Sequence, residues 1–306
     1  MSEATVHVPV LPAEILELGD PRPGQRWVDG TAGGGGHARL ILQHIAPGGQ
    51  LLAVDRDPAA VLRLESLLAG QAEVCHSSYD VIPELLRQRG WPAVNGILLD
   101  LGLSSDQLAD RQRGFSFQAD GPLDMRFDPS TGEAAWEWLS RVDERELADT
   151  IYRYGEERFS RRIARRICEA RHQQSLRTAE ELRELIYRSV PRPRTPKSSQ
   201  RWDARRKRPI DPATRTFQAL RIAVNDELGI LERALQRLPD CLAPGGVLMI
   251  ISFHSLEDRL VKYAFRGDAR LEIVTRRPVQ AGDAEVASNP RSRSAKLRVA
   301  RRLAAE

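Results

Sequence analysis

The chain has 306 residues, 29% of them charged and 41% hydrophobic, which excludes a disordered or fibrous protein and leaves room for about two domains with a real core. Net charge is +4, yet four lysines stand beside 42 arginines; such an excess suits bidentate phosphate binding, and genome composition alone produces it equally well. No run of about 18 apolar residues occurs and Met1-Ser-Glu-Ala-Thr lacks a basic-then-apolar leader, so the expected compartment is the cytoplasm, with no membrane contact.

The first element is a short strand, Arg26-Trp-Val-Asp29, that runs straight into Gly30-Thr-Ala-Gly-Gly-Gly-Gly-His37 and a helix over 37–45. A second apolar strand, 50–55, ends in Asp55, nineteen residues beyond the last of four consecutive glycines. Glycine lets the backbone pass close under a ligand, a helix start offers free N–H groups to an anion, and an acid at the next strand tip suits a ribose diol. These residues describe a nucleotide-type cofactor site. Gly33-Gly-Gly-Gly-His-Ala38 fits G-x-G-x-x-A, so a nicotinamide oxidoreductase is one reading. Asp29 argues against it, because a carboxylate there repels a diphosphate and attracts an ammonium. S-Adenosylmethionine (AdoMet) carries that ammonium, a carboxylate for the helix N-terminus and a ribose diol for Asp55. A bare strand-to-helix turn is the other reading, but four glycines cost much backbone entropy unless something must approach closely.

Strands follow at 72–76 and 95–100, among helices over 59–68 and 81–89. Apolar strands alternating with helices predict a parallel sheet covered on both faces. After Asp100 the alternation stops, and helices are expected at 144–154, 157–170 and 178–189. Residues 188–208 hold nine basic side chains and one acid, Asp203, among prolines and serines: a solvated loop or a phosphate-binding arm. One long helix opens after Pro212, with Phe217, Leu220, Val224, Leu228 and Leu231 as a single buried stripe. Ala243-Pro-Gly-Gly246 turns the chain into a fifth strand, 247–252, and the tail offers strands at 270–274 and 296–301. The expectation is an α/β, Rossmann-like sheet domain of residues 1–103 and 210–306, interrupted after its fourth strand by a helical substrate-recognition domain of residues 104–209.

Ligands of open α/β sheets lie beyond the carboxyl ends of the strands. Polar residues stand at all of those ends: Asp29, Asp55, Ser77-Ser-Tyr79, Asp100-Leu-Gly-Leu-Ser-Ser105 and Ser252-Phe-His-Ser-Leu-Glu-Asp258. Methylating a pyrimidine carbon requires a thiolate to attack the ring first. None of Cys75, Cys168 and Cys241 is at a strand end, and their spacing shows neither a disulfide framework nor a zinc site, so no metal is expected. Direct attack by an exocyclic amine or hydroxyl needs orientation instead, which Asp100 can give by holding an amine N–H and accepting charge as the nitrogen becomes cationic. His254 is the second catalytic candidate, although a histidine there can equally cap a helix. Arg111, Arg113, Phe115 and Phe117 form a basic-aromatic cluster suited to a flipped base and its phosphates; the phenylalanines can also serve only to anchor the insertion.

The motifs in order resemble the small-subunit (16S) ribosomal RNA cytosine-N4 methyltransferases, the RsmH/MraW family. The resemblance is carried by His7-Val-Pro-Val-Leu11, Asp29-Gly-Thr-Ala-Gly-Gly-Gly-Gly-His37, Ala53-Val-Asp-Arg-Asp-Pro58 and Gly96-Ile-Leu-Leu-Asp-Leu-Gly-Leu-Ser-Ser105. Arg113-Gly-Phe-Ser-Phe117, Gly121-Pro-Leu-Asp-Met-Arg126, Tyr154-Gly-Glu-Glu157 and Pro212-Ala-Thr-Arg-Thr-Phe-Gln-Ala-Leu-Arg-Ile222 continue it. Ser252-Phe-His-Ser-Leu-Glu-Asp-Arg259 and Asn289-Pro-Arg-Ser-Arg-Ser294 complete it, so it spans nearly the whole chain. It implies a class I AdoMet-dependent methyltransferase fold and N4-methylation of a cytidine in the decoding region of 16S rRNA, with the small ribosomal subunit as partner and a homodimer allowed. By the same resemblance Gly34, Gly35, Gly36 and His37 contact the methionyl part of AdoMet, Asp55 the ribose and Tyr79 the adenosine, while Asp100 and Gln107 complete the pocket. Asp211 departs from the histidine usual before Pro-Ala-Thr-Arg, the 188–208 arm is longer than usual, and the stretch between Arg266 and Asn289 is shorter. A non-catalytic ribosome-assembly factor is the remaining alternative.

Overall fold

A computed structural model describes residues 8–117, 120–173, 175–191 and 211–304. Most of the basic 188–208 arm therefore lies outside the described residues. The chain divides into two compact units, one of residues 1–106 and 228–306 and the other of residues 107–227.

In chain order the first unit opens with α1 (Pro12–Gly19), β1 (Arg26–Asp29), α2 (Gly36–Ile45), β2 (Gln50–Asp55), α3 (Pro58–Leu67), β3 (Glu73–His76), α4 (Ile82–Gln88) and β4 (Val94–Asp100). The short helix α5 (Ser105–Ala109) is followed by α6 (Ala135–Arg141), α7 (Glu144–Gly155), α8 (Ser160–Arg171), α9 (Ala179–Ser189) and α10 (Pro212–Asn225). The chain then completes the first unit with α11 (Glu227–Arg237), β5 (Leu242–Ser252), α12 (Ser255–Gly267), β6 (Leu271–Ile273), α13 (Asp283–Ser288) and β7 (Lys296–Arg302).

The seven strands form one sheet in the order β3-β2-β1-β4-β5-β7-β6. Pairs from β3 through β5 are parallel, and β7 runs antiparallel to both β5 and β6. This is the class I AdoMet-dependent methyltransferase arrangement that the sequence led us to expect. Strand order reverses between β1 and β4, so their carboxyl ends flank the position where such sheets bind ligands. Successive side chains of a strand face opposite ways. Val28, Leu52, Ile97, Leu99, Leu248 and Ile250 thus meet Ile82, Leu231 and Val261 on one side, while Trp27, Leu51, Leu98, Met249 and Ile251 meet Ile15, Ile41 and Leu64 on the other. Gly96 leaves space for the Trp27 indole; a Cβ there would come within 2.4 Å of it.

The second unit is a helical bundle whose buried residues recur at helical spacing: Leu147 and Ile151, then Ile163 and Ile167, then Leu182 and Ile186, then Phe217 and Leu220. Its helices start where side chains can take the free N–H groups. Asp143 accepts from Arg145 and Glu146, and Thr178 with Glu181 makes a capping box. Asp211, the departure noted above, has a structural role: Oδ1 accepts from Ala213 N at 2.8 Å and Oδ2 from the Tyr187 hydroxyl at 2.5 Å.

Two expectations need correction. The long helix after Pro212 is two helices, because Asp226 takes a left-handed φ of 49° between α10 and α11. Its single stripe is therefore split, with Val224 and Leu228 only half-buried. The helical unit also extends past residue 209 to 227, since α10 packs on α7 and α9 and so belongs with the bundle, not the sheet. Among the described residues no helix is long and apolar enough to cross a membrane.

Candidate active site

The carboxyl end of β1 sets the geometry. Asp29 is fully buried, its Oδ1 accepting from Thr31 N at 3.2 Å. Gly30 follows where a Cβ would strike Leu99 at 2.4 Å, so the chain can turn there only without a side chain. The next turn is held from the neighbouring strand: Ala32 N donates to Val54 O at 3.0 Å and Gly33 N to Asp55 Oδ2 at 2.7 Å. Gly35 has a φ of 77°, and a Cβ on it would come within 2.5 Å of Leu67, which explains why the chain needs glycine at this entry to α2.

Asp55 is also held by Asp57 N, which donates to Oδ1 at 2.8 Å. Asp57 in turn caps α3 through Ala59 N. Tyr79 begins a short 3-10 turn, Tyr79–Val81, just beyond β3, and its Cβ is 3.2 Å from where a Cβ on Gly30 would lie. His37, in the first turn of α2, is buried with Nε2 at 3.7 Å from Asp100 Oδ2.

Asp100 closes β4. Its backbone N–H donates to Thr31 Oγ1 at 2.6 Å, which ties the ends of β1 and β4 together. Its Oδ1 is buried and makes no hydrogen bond among the described residues. Burial pushes the Asp100 pKa up to about 7; Arg291 opposes that rise, and Glu257 adds to it. Asp29 is likewise pushed up to about 7, first by burial and then by the charges of Asp100 and Asp55, against the Thr31 hydrogen bond. Burial raises Asp55 as well.

The structure thus brings together Asp29, Gly33 to Gly36, His37, Asp55, Tyr79 and Asp100 from the sequence reading. Gln107 is buried on α5 and counts with the helical unit. Two contributors escaped that reading. Thr31 lay unnoticed inside the glycine motif. Arg291 is nearly two hundred residues away in sequence, yet its guanidinium donates to Ser105 Oγ at 2.9 Å and to Leu103 O, bracing the loop after Asp100. Its only sequence signal was the Asn289-Pro-Arg-Ser-Arg-Ser294 segment.

The expected base-stacking cluster looks different. Phe115 is 6% exposed and stacks on Phe127 with centroids 5.5 Å apart. Phe117 meets Phe217 edge-on at 5.4 Å. Arg113 donates to Arg126 O and Phe127 O while lying over the Phe115 ring, and only Arg111 is exposed. Three of the four are thus framework of the helical unit. His254 is engaged too: it is the N-cap of α12, accepting weakly from Glu257 N at 3.4 Å, with Nε2 at 3.2 Å from Glu257 Oε1. The Cys168 and Cys241 thiols are poor nucleophiles, since burial raises the pKa of Cys168 and pushes Cys241 up to about 11.

A model described as the MraW methylase family matches residues 4–303. The chain belongs to that family. Proteins called ribosomal RNA small subunit methyltransferase H are similar over almost their whole length. One from Rhodopirellula baltica is 50% identical, with 98% of this chain and 92% of that protein covered. One from Geobacter sulfurreducens is 47% identical, covering 97% and 99% respectively. AdoMet is the methyl donor of this family. The site suits it on three counts: buried carboxylates that gain from a positive charge, a side-chain-free glycine turn, and an α2 N-terminus open to a carboxylate.

Proposed function

We propose that the protein methylates the exocyclic N4 amine of a cytidine in the decoding region of 16S rRNA, within the small ribosomal subunit and in the cytoplasm. The observation that carries this reading is Asp100, a buried carboxylate at the ligand end of β4 with one oxygen free of hydrogen bonds among the described residues. In the site AdoMet supplies a methyl group on positively charged sulfur. Asp29 complements the ammonium of the methionyl part, Asp55 the ribose diol, and Gly33 to Gly36 the close approach of the backbone. Asp100 Oδ1 accepts an N–H of the target amine, aims the nitrogen at the methyl carbon, and stabilises positive charge as the new bond forms. With a pKa of about 7, the same oxygen can then take the proton that the amine must lose. Buried Cys168 and Cys241, with Cys75 inside β3 instead of at its end, agree with a route that has no covalent enzyme intermediate.

Labelled methyl transfer to small subunits lacking the modification, followed by mass spectrometry of nucleosides, tests this reading. The expected product is N4-methylcytidine, with kcat rising as pH passes through about 7. Asp100→Asn should lower kcat by about 100-fold or more while the protein still folds. A methyl found on carbon 5 or on a ribose hydroxyl overturns the amine target; undiminished transfer by Asp100→Asn overturns the mechanism.

A further inference from the structure

On the sheet face covered by α12, a cavity of about 160 Å³ is lined by Lys262, Phe265, Arg266, Thr275, Arg276 and Arg298. Its floor is built: Phe265, Thr275 and Arg298 are each less than a tenth exposed. Arg298 is neutralised, its Nε donating to Asp258 Oδ1 at 2.7 Å, and Thr275 Oγ1 is oriented by Val299 N at 2.9 Å. The rim is not neutralised. Lys262 lies 5.5 Å over the Tyr263 ring, and neither it nor Arg266 nor Arg276 has an ion-pair partner among the described residues. Lys262 and Arg266 are one helical turn apart on α12, and Arg276 reaches the same cavity from beyond β6. Three like charges around one concavity focus a positive potential into it, which suits an anion.

We infer that this cavity holds a backbone phosphate of the RNA substrate, giving the sheet unit a substrate contact separate from the site at Asp100. Register places it. Asp100 pairs with Ile251 of β5, and Ile250 pairs with Arg298 of β7, so Arg298 is two strands from β4, about 10 Å across the sheet. A polyanion with one base at Asp100 passes within a few nucleotides of that point, whereas a free small anion would have no reason to be gathered so near the reacting end. The inference rests on the RNA reading of the site.

The test uses the full-length protein with AdoMet, titrated with small-subunit rRNA over a range of KCl concentrations. An Arg266→Ala/Arg276→Ala variant should bind more weakly and show a log Kd against log salt slope shallower by about 0.7, the value for one lost single-strand phosphate contact. Its affinity for AdoMet and its Tm should stay unchanged, and the corresponding double Lys variant should restore the slope. An unchanged slope in the Ala variant overturns the inference. So does stabilisation of the wild type, but not the variant, by inorganic phosphate with no change in RNA slope, because the cavity then takes a free anion. Wild-type protein with no affinity for rRNA removes the functional reading itself, an outcome distinct from both.

Discussion

Asp55, Asp29 and Asp100 end three neighbouring strands, β2, β1 and β4, and burial raises the pKa of each. A carboxyl whose folded pKa is raised binds more protons folded than unfolded, so stability falls as pH climbs between the two values. For Asp29 that window runs from 3.8 to about 7. Without AdoMet, Tm should decline from pH 5 to pH 8, and Asp29→Asn should flatten the decline, by an amount worth up to about 4 kcal/mol across the window. Thermal melts of both proteins check this; parallel curves would show that Asp29 titrates normally. These acids were legible because each closes an apolar strand. The inward-facing Phe115 and Phe117 were not, since adjacent aromatics and arginines look alike in sequence whether they face a base or each other. Arg291 was hidden by distance along the chain.

At the level of elements, periodicity placed six of the seven strands within a residue or two, because a strand buried on both faces leaves an unbroken apolar run, whereas β5 begins at Leu242 and takes in the Ala243-Pro-Gly-Gly246 stretch read as a turn. Helix ends were less readable. The turn at Asp226 breaks a continuous-looking pattern through one left-handed residue that no glycine announces. At α12 the entry is set by His254 and by Glu257, whose Oε2 accepts from Phe253 N at 2.9 Å. Asparagine is a better N-cap than histidine, so His254→Asn should leave stability within about 1 kcal/mol of wild type and retain methyl transfer. A folded His254→Asn protein without activity would instead give the imidazole a chemical role. His254→Ala, lacking any capping atom, should lower stability by about 1 kcal/mol.

For the molecule as a whole, the sheet was foreseeable because strand and helix alternate strictly up to Asp100, and the helical insertion because that alternation then stops. The boundary at residue 227 was not, since α10 has an apolar stripe that would suit a sheet as well as the bundle it joins. Thiol-independent chemistry is a property of the whole chain: a variant with Cys75, Cys168 and Cys241 all replaced by alanine should still transfer methyl groups. Labelled-methyl incorporation, with circular dichroism to confirm folding, checks this, and a folded but inactive variant would restore a covalent route. The place of β7 has a consequence for how the protein is made. It fills the sixth position of seven although it is synthesised after every other strand. Until residues 296–302 have left the ribosome, β5, whose positions from Val247 to Ser252 are all buried in the finished sheet, has one unpaired side. The nascent chain therefore carries an open, apolar strand edge from the emergence of β5 until the last strand slots between β5 and β6, a form that invites aggregation or chaperone capture.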